Sequence, residues 1–350
     1  MLLNQYLQAD NSSYISNLYT IDCRLGTNPH GHPKLDSFLS NELLQDINGY
    51  YDFSWIAKLS VQTAKYVNCG PECIFFGNGS MPILSSIFTK LLSSESKLMM
   101  GIGAQFIDAV SEWRLAGGIY SCVHSCEDLI EGILRDKPSV VYIDNPNNPL
   151  GKVYKKAEML EIAKACKTVS ALFLIDEAYG DYISLEESMI EATKIMDHII
   201  VVRSFSKGLG MAGIRLGYAV VSKSMCDSMA RITIPFTPSI MSIKVACSAL
   251  LTAREFMEDS INKTKKTKVK MMGELKKHGI EVLESDERTP IFMVHMKGVD
   301  AMSWFEERGI LVESGHHFKG TCDYMNNEYA RVRIVGNKYD LEHLLYRLRA

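Results

Sequence analysis

Short apolar runs recur through the middle of the chain. Ser139–Asp144 (SVVYID), Ala171–Asp176 (ALFLID), His198–Ser204 (HIIVVRS) and Leu216–Ser222 (LGYAVVS) are mostly apolar until their last residues. Between them, Lys155–Thr168 and Glu186–Met196 return apolar side chains at helical spacing. Continuously apolar strands separated by helices predict a parallel sheet buried on both faces. Such sheets bind ligands at the carboxyl ends of their strands, so chemistry is expected in the polar residues just after each one.

From about Ile240 the pattern changes. A long helix over Ala253–His278 carries the basic run Lys263–Lys277, whose predicted place is a solvated helix face. Strand-like Ile291–Met296, a helix at Asp300–Arg308, Ile310–Val312, Ala330–Val335 and a final helix near Lys338–Leu348 follow. The expected fold is α/β, with a three-layer, mainly parallel central sheet. A large domain is predicted over residues 46–240, and a smaller α+β domain over 1–45 plus 241–350.

Charge removes several function classes. The balance of 38 basic and 41 acidic residues gives a net charge of −3, with no global basic field for nucleic acid or anionic lipid. No apolar run approaches the roughly 20 residues that span a bilayer. The first residues, MLLNQYLQADNSSY, lack the basic and apolar regions of a signal peptide. Nine cysteines without a paired C-x-x-C framework fit a reducing, cytoplasmic setting. Cys122-x-His124-x-Cys126 lacks a fourth ligand, and His316-His317 with Cys322 has poor ligand spacing, so no metal is expected.

Three loops at predicted strand ends hold the candidate chemistry. They are Asp144-Asn145-Pro146-Asn147-Asn148-Pro149-Leu150-Gly151, then Asp176-Glu177-Ala178-Tyr179, then Ser204 through Arg215 around Lys207. Gly208, Gly210 and Gly213 spell G-x-G-x-x-G, but a strand follows instead of the helix that a dinucleotide fingerprint requires. A lysine, an aspartate, a tyrosine, an asparagine and an arginine together suit pyridoxal phosphate. That cofactor needs an amine for a Schiff base, an acid beside its pyridine nitrogen, and donors for its ring oxygen and phosphate.

The N-P-N-N-P-x-G, D-E-A-Y and S-x-S-K…R-L-G motifs make the chain resemble the fold-type-I pyridoxal-phosphate enzymes of aminotransferase class I/II. Within that class it is most similar to the histidinol-phosphate aminotransferase and threonine-phosphate decarboxylase branch, from about Leu25 to the C-terminus. The resemblance implies that Lys207 holds the cofactor and shuttles the α-proton. It implies that Asp176 pairs with the pyridinium nitrogen and that Tyr179 and Asn148 donate to the ring oxygen. Ser204, Ser206 and Arg215 would hold the phosphate, with Gly79, Ser80 and Met81 at the start of an apolar helix. Met81-Pro82 stands where the family has an acidic pair. Phe106 would stack on the ring, and Tyr50 would reach the phosphate of a second subunit, making a homodimer with a shared site.

On the substrate side the resemblance implies Arg331 for the α-carboxylate, with Arg333 as the alternative on the same strand face. Asn28 falls in the segment that closes over the substrate. Glu313 stands where this branch has an arginine for the substrate's phosphate. A carboxylate there opposes a phosphate, so an amino-acid substrate without one is expected, Glu313 favouring a cationic or hydroxylated side chain. The bland alternative has Glu313 pointing to solvent. Transamination leads. Decarboxylase, lyase, oxidase or cyclase chemistry would use the same residues. A regulator with an aminotransferase-like sensor would need a DNA-binding domain for which too few residues precede Leu25.

Overall fold

The computed structural model describes residues 20–36, 43, 47, 53–92 and 97–349. Thirteen strands, numbered in chain order, form three sheets among these residues. The largest has seven strands in the order β2 (Ile74–Gly77), β8 (Gly217–Val221), β7 (Ile199–Ser204), β6 (Leu172–Glu177), β5 (Val140–Asp144), β3 (Leu98–Ile102) and β4 (Ile119–Val123). Neighbours from β7 to β4 run parallel, while β8 runs antiparallel to both β7 and β2.

Every residue of β5, β6, β7 and β8 is buried. Successive side chains alternate between two cores, as a strand's period of two requires. Val141, Ile143, Phe173, Ile175 and Val201 face one core, which includes residues of helices Phe53–Val67, Cys126–Asp136 and Lys156–Thr168. Val140, Tyr142, Leu174, Ile200 and Val202 face the other, with helices Ser80–Ser86, Ile107–Leu115 and Cys226–Ile232. Each such aliphatic side chain contributes about 1.5–3 kcal/mol through burial. The resulting three layers are those expected of an α/β chain.

A four-stranded antiparallel sheet follows, ordered β12 (Glu313–Ser314), β13 (Tyr329–Arg333), β10 (Ile291–His295) and β9 (Glu281–Val282). Its Phe292, Val294, Ala330 and Val332 pack with Met271 and Leu275 of the long helix Ala253–Lys277, and with Leu341 and Leu344 of the helix Lys338–Arg349. A two-stranded parallel sheet joins β1 (Ile21–Asp22) to β11 (Ile310–Leu311).

Three local expectations are corrected. Leu216–Ser222 forms a strand, but an antiparallel one. The turn closes tightly, with Phe205 N donating to Leu216 O at 3.0 Å, and leaves no room for a crossover helix. Glu186–Met196 is not a helix but a series of turns with one short 3-10 segment at Glu191–Lys194. The buried Glu177 carboxylate accepts from Ser188 Oγ and Met189 N, at 2.7 and 2.8 Å, and this competes with helical bonding. The basic run Lys263–Lys277 is not wholly solvated: Lys268 is fully buried.

Candidate active site

The ends of three parallel strands and the turn after β2 meet at a cavity of about 280 Å3. Among its lining residues are Ser80, Met81, Phe106, Asn148, Asp176, Tyr179, Ser204, Ser206, Lys207 and Arg215, all singled out by the sequence. Tyr50 lies outside the described residues.

At the centre, Asp176 is the next-to-last residue of β6 and is 2% exposed. Its oxygens accept from Ala178 N at 2.9 Å and from the Tyr142 hydroxyl at 3.2 Å. Burial raises its pKa to about 6, against the pull of these donors and of the Lys207 charge. Half-buried Lys207 shows the converse. Burial, helped by the Arg331 charge, lowers its amine to about 8, while Asp176 opposes the shift. Its Nζ sits 5.7 Å from the centre of the Tyr179 ring. The Tyr179 hydroxyl is buried without a hydrogen-bond partner, and burial pushes its pKa up to about 12. An unpartnered buried hydroxyl on the cavity wall is able to bond a ligand there.

Gly79 and Arg215 shape one end of the cavity. Gly79 has φ 98°, and a Cβ there would lie 3.0 Å from Arg215 Nη2. Arg215, in the left-handed region at φ 51°, turns the chain back and reaches Ser206 Oγ at 3.5 Å. Ser206 N donates to Ser204 Oγ at 3.1 Å. The helix Ser80–Ser86 is capped by Gly79, so Ser80 is its first residue. A cation, two hydroxyls and glycine-exposed backbone make this an anion site.

Asp144 organises the opposite wall, a role the sequence reading had not given it. Its buried carboxylate accepts from Phe106 N at 3.1 Å, Asn148 N at 2.9 Å and Asn147 Nδ2 at 2.8 Å. It thereby ties the Phe106 turn to the Asn-Pro loop. The available signal was its place as the last residue of a strand before that loop. Gly26 was also missed: a Cβ there would overlap the Tyr179 hydroxyl.

The four-stranded sheet brings Arg331, which is 6% exposed. Its Nη1 donates to Asn148 Oδ1 at 2.7 Å and its Nη2 to Arg24 O at 2.6 Å and to the Glu313 carboxylate. Glu313 therefore faces Arg331, not solvent alone. Arg333 points elsewhere and donates to Asp22 O at 2.5 Å. Like Arg331 and Glu313, Asn28 is not among the residues lining the cavity. Its Nδ2 donates to Gly208 O at 2.7 Å and Ser260 Oγ at 2.8 Å, so it anchors the segment whose Leu25 and Thr27 line the cavity.

Known proteins share this chain's sequence pattern and fold. Residues 29–348 match the family model for aminotransferase class I and II. A histidinol-phosphate aminotransferase of Methanocaldococcus jannaschii is 28% identical over 304 residues, covering 82% of this chain and 77% of that one. The histidinol-phosphate aminotransferase from Sinorhizobium meliloti, solved with pyridoxal-5'-phosphate, matches with a TM-score of 0.79 at 19% identity, over 94% of this chain and 91% of its own. The L-threonine-O-3-phosphate decarboxylase from Porphyromonas gingivalis matches with a TM-score of 0.77 at 19% identity, over 94% and 98%.

Proposed function

Since the chain belongs to the class I and II aminotransferases, enzymes that depend on pyridoxal phosphate, we propose that it moves the amino group of an amino acid that carries no phosphate. One observation supports this choice of substrate: the Glu313 carboxylate is bonded to Arg331, whose guanidinium also holds Asn148 of the cavity wall. An anion fixed there opposes a phosphate ester and leaves Arg331 as a mono-carboxylate site.

The cavity's residues fit the cofactor. Gly79, Ser80 and Met81, with Ser204, Ser206 and Arg215, form the phosphate cradle, and Phe106 offers a ring face. The Tyr179 hydroxyl has no protein partner to give up. Asn148 Oδ1 is engaged by Arg331, so Nδ2 is its remaining donor. Asp176, whose pKa burial raises to about 6, would pair with the pyridine nitrogen and favour its protonated form. Pyridoxal phosphate, when bound, supplies the sink for the electron pair released at the substrate's α-carbon. Lys207 Nζ is the group placed to take the α-proton. With its pKa at about 8, a useful share of the amine is neutral near neutral pH. Arg331 orients the substrate by its carboxylate and so sets which bond at the α-carbon faces Lys207.

The same reading carries a homodimer with Tyr50 shared between sites, a cytoplasmic setting, and domains at 46–240 and at 1–45 with 241–350. Among the described residues no helix is long and apolar enough to cross a membrane. The test is kcat/KM for histidinol phosphate against free amino acids, arginine and histidine included, with amino-group transfer and CO2 release both followed. Transfer from a free amino acid with at least tenfold preference supports the proposal. Preference for the phosphate ester, or CO2 without transfer, overturns it.

A further inference from the structure

Three soft side chains that sequence spacing did not unite meet where β4 faces the loop before β13. Cys122 lies in β4 and His124 just beyond it, while Cys322 arrives from the opposite end of the chain. One ligand atom from each, two Sγ and a ring nitrogen, lies within 4.8 Å of the others. The expected third partner, Cys126, instead opens the helix Cys126–Asp136. The fold thus unites a trio different from both groups weighed in the sequence.

The three atoms approach the spacing that a tetrahedral ion imposes. Zinc–sulfur bonds of about 2.3 Å and zinc–nitrogen bonds of about 2.0 Å put neighbouring ligand atoms about 3.5–3.8 Å apart. Small side-chain rotations close the difference. Cys322 is fixed by its backbone, which donates to Phe318 O at 3.1 Å and accepts from Met325 N at 3.1 Å. The inner side is dry, walled by Ala104, Met293, Phe318 and Met325. His124 is exposed, so the outer side is open to water. Without an ion, the Cys122 thiol contacts the Gly103 and Val123 carbonyls, at 3.5 and 3.4 Å, and hydrogen-bonds with the Cys322 thiol, so the two sulfurs already face each other.

We propose that Cys122, His124 and Cys322 bind one zinc ion, with water in the fourth position. Two thiol protons leave to the buffer as the two Zn–S bonds form, and no oxidant or reductant takes part. The ion clasps the loop before β13 to the edge of the large sheet. That loop already meets the cavity shelf, since Gln105 N donates to Thr321 Oγ1 at 3.2 Å beside Phe106. The inference is independent of the substrate.

The test uses holoenzyme stripped by a chelator, desalted, kept reduced, and titrated with zinc chloride against a chromophoric zinc indicator. One equivalent per chain is expected, with a raised thermal midpoint. Cobalt(II) should give the visible bands of a tetrahedral thiolate site. Cys322→Ala and His124→Ala should each weaken zinc at least tenfold and leave the cofactor's absorbance unchanged. Cys226→Ala, a half-buried cysteine elsewhere, should bind as the parent does. His124 is exposed, so its variant keeps the test open if Cys322→Ala misfolds. No uptake by the reduced protein, or unchanged stoichiometry and affinity in both variants, overturns the proposal. So does a Cys122–Cys322 disulfide that survives reductant and blocks zinc.

Discussion

Arg331 on β13 and Glu313 on β12 are direct cross-strand partners, and the guanidinium donates to the carboxylate. The pair is set by the ladder's register, so it does not depend on a loop folding correctly. Glu313 also has His317 Nδ1 at 3.7 Å. On the proposed reading, a substrate carboxylate at Arg331 would share the guanidinium with Glu313 or displace it.

Glu313→Gln should therefore tighten carboxylate binding. The pair is partly solvated, with Glu313's side chain 25% exposed, so its competition is worth only about 1 kcal/mol. KM for the keto-acid acceptor is expected to fall about three- to tenfold with kcat little changed. Glu313→Arg should raise kcat/KM for a phosphate ester relative to a free amino acid. Steady-state kinetics of both variants checks this, and an unchanged acceptor KM in Glu313→Gln counts against the competition.

Lys207 gives a pH prediction. Its amine falls from 10.5 to about 8 because burial disfavours the charged form and Arg331 repels it. Only the neutral amine is nucleophilic, so cofactor-free protein should capture pyridoxal phosphate faster as pH rises towards 8 and level off above it. Arg331→Gln removes one cause of the lowering and should move that midpoint upward. Stability follows the same group. Between pH 8 and 10.5 the unfolded chain binds more protons, so the Lys207 contribution to stability of the cofactor-free protein rises with pH across that window. Stopped-flow absorbance and denaturant titrations at several pH values measure the two effects. Lys207→Ala should give no borohydride-trapped cofactor at any pH.

Much of this site was legible because its chemistry sits where the parallel strands end. Asp144, Asp176 and Ser204 are each the last residue of an apolar run, and a reader who finds the runs finds the residues. What the sequence did not reveal was pairing across long separations. Nothing local distinguishes Arg331, bonded to Asn148, from Arg333, bonded to Asp22 O. The amide of Asn28 matches its motif, yet Gly208 and Ser260 take it. The helix expected at Glu186–Met196 failed for the same reason, since the competing acceptor, Glu177, belongs to a strand.

Gly26 is predicted to matter through contact, not flexibility. Gly26→Ala places a methyl group on the Tyr179 hydroxyl, so the ring must shift. The expected result is weaker cofactor affinity and a displaced visible absorbance maximum. Tyr179→Phe in the same chain removes the overlapped oxygen. If the clash is the cause, Gly26→Ala should have a much smaller additional effect in the Tyr179→Phe background than alone. Equal effects in the two backgrounds would place the damage elsewhere.

Lys268 supplies a stability prediction away from the chemistry. From the long helix its fully buried Nζ shares its three N–H groups among Ser285 Oγ at 2.7 Å, Asp286 O at 2.6 Å, Thr289 O at 3.0 Å, Thr289 Oγ1 at 2.9 Å and Ile291 O at 2.7 Å. Thr289 Oγ1 in turn donates to Gly151 O at 2.8 Å, so the lysine braces the end of the Asn-Pro loop through the start of β10. Lys268→Met keeps the stem's shape and removes the donor these oxygens share, leaving Asp286 O with Thr289 N and Ile291 O with Ser285 Oγ as weaker partners. Unsatisfied buried acceptors of this kind destabilise by about 1–3 kcal/mol each where water cannot reach them. Some will re-pair, so a net loss of roughly 2–4 kcal/mol is expected in urea unfolding. Lys268→Arg should not rescue, because a planar fork cannot meet oxygens clustered round one nitrogen. A variant as stable as the parent would show that the cluster contributes nothing to the fold.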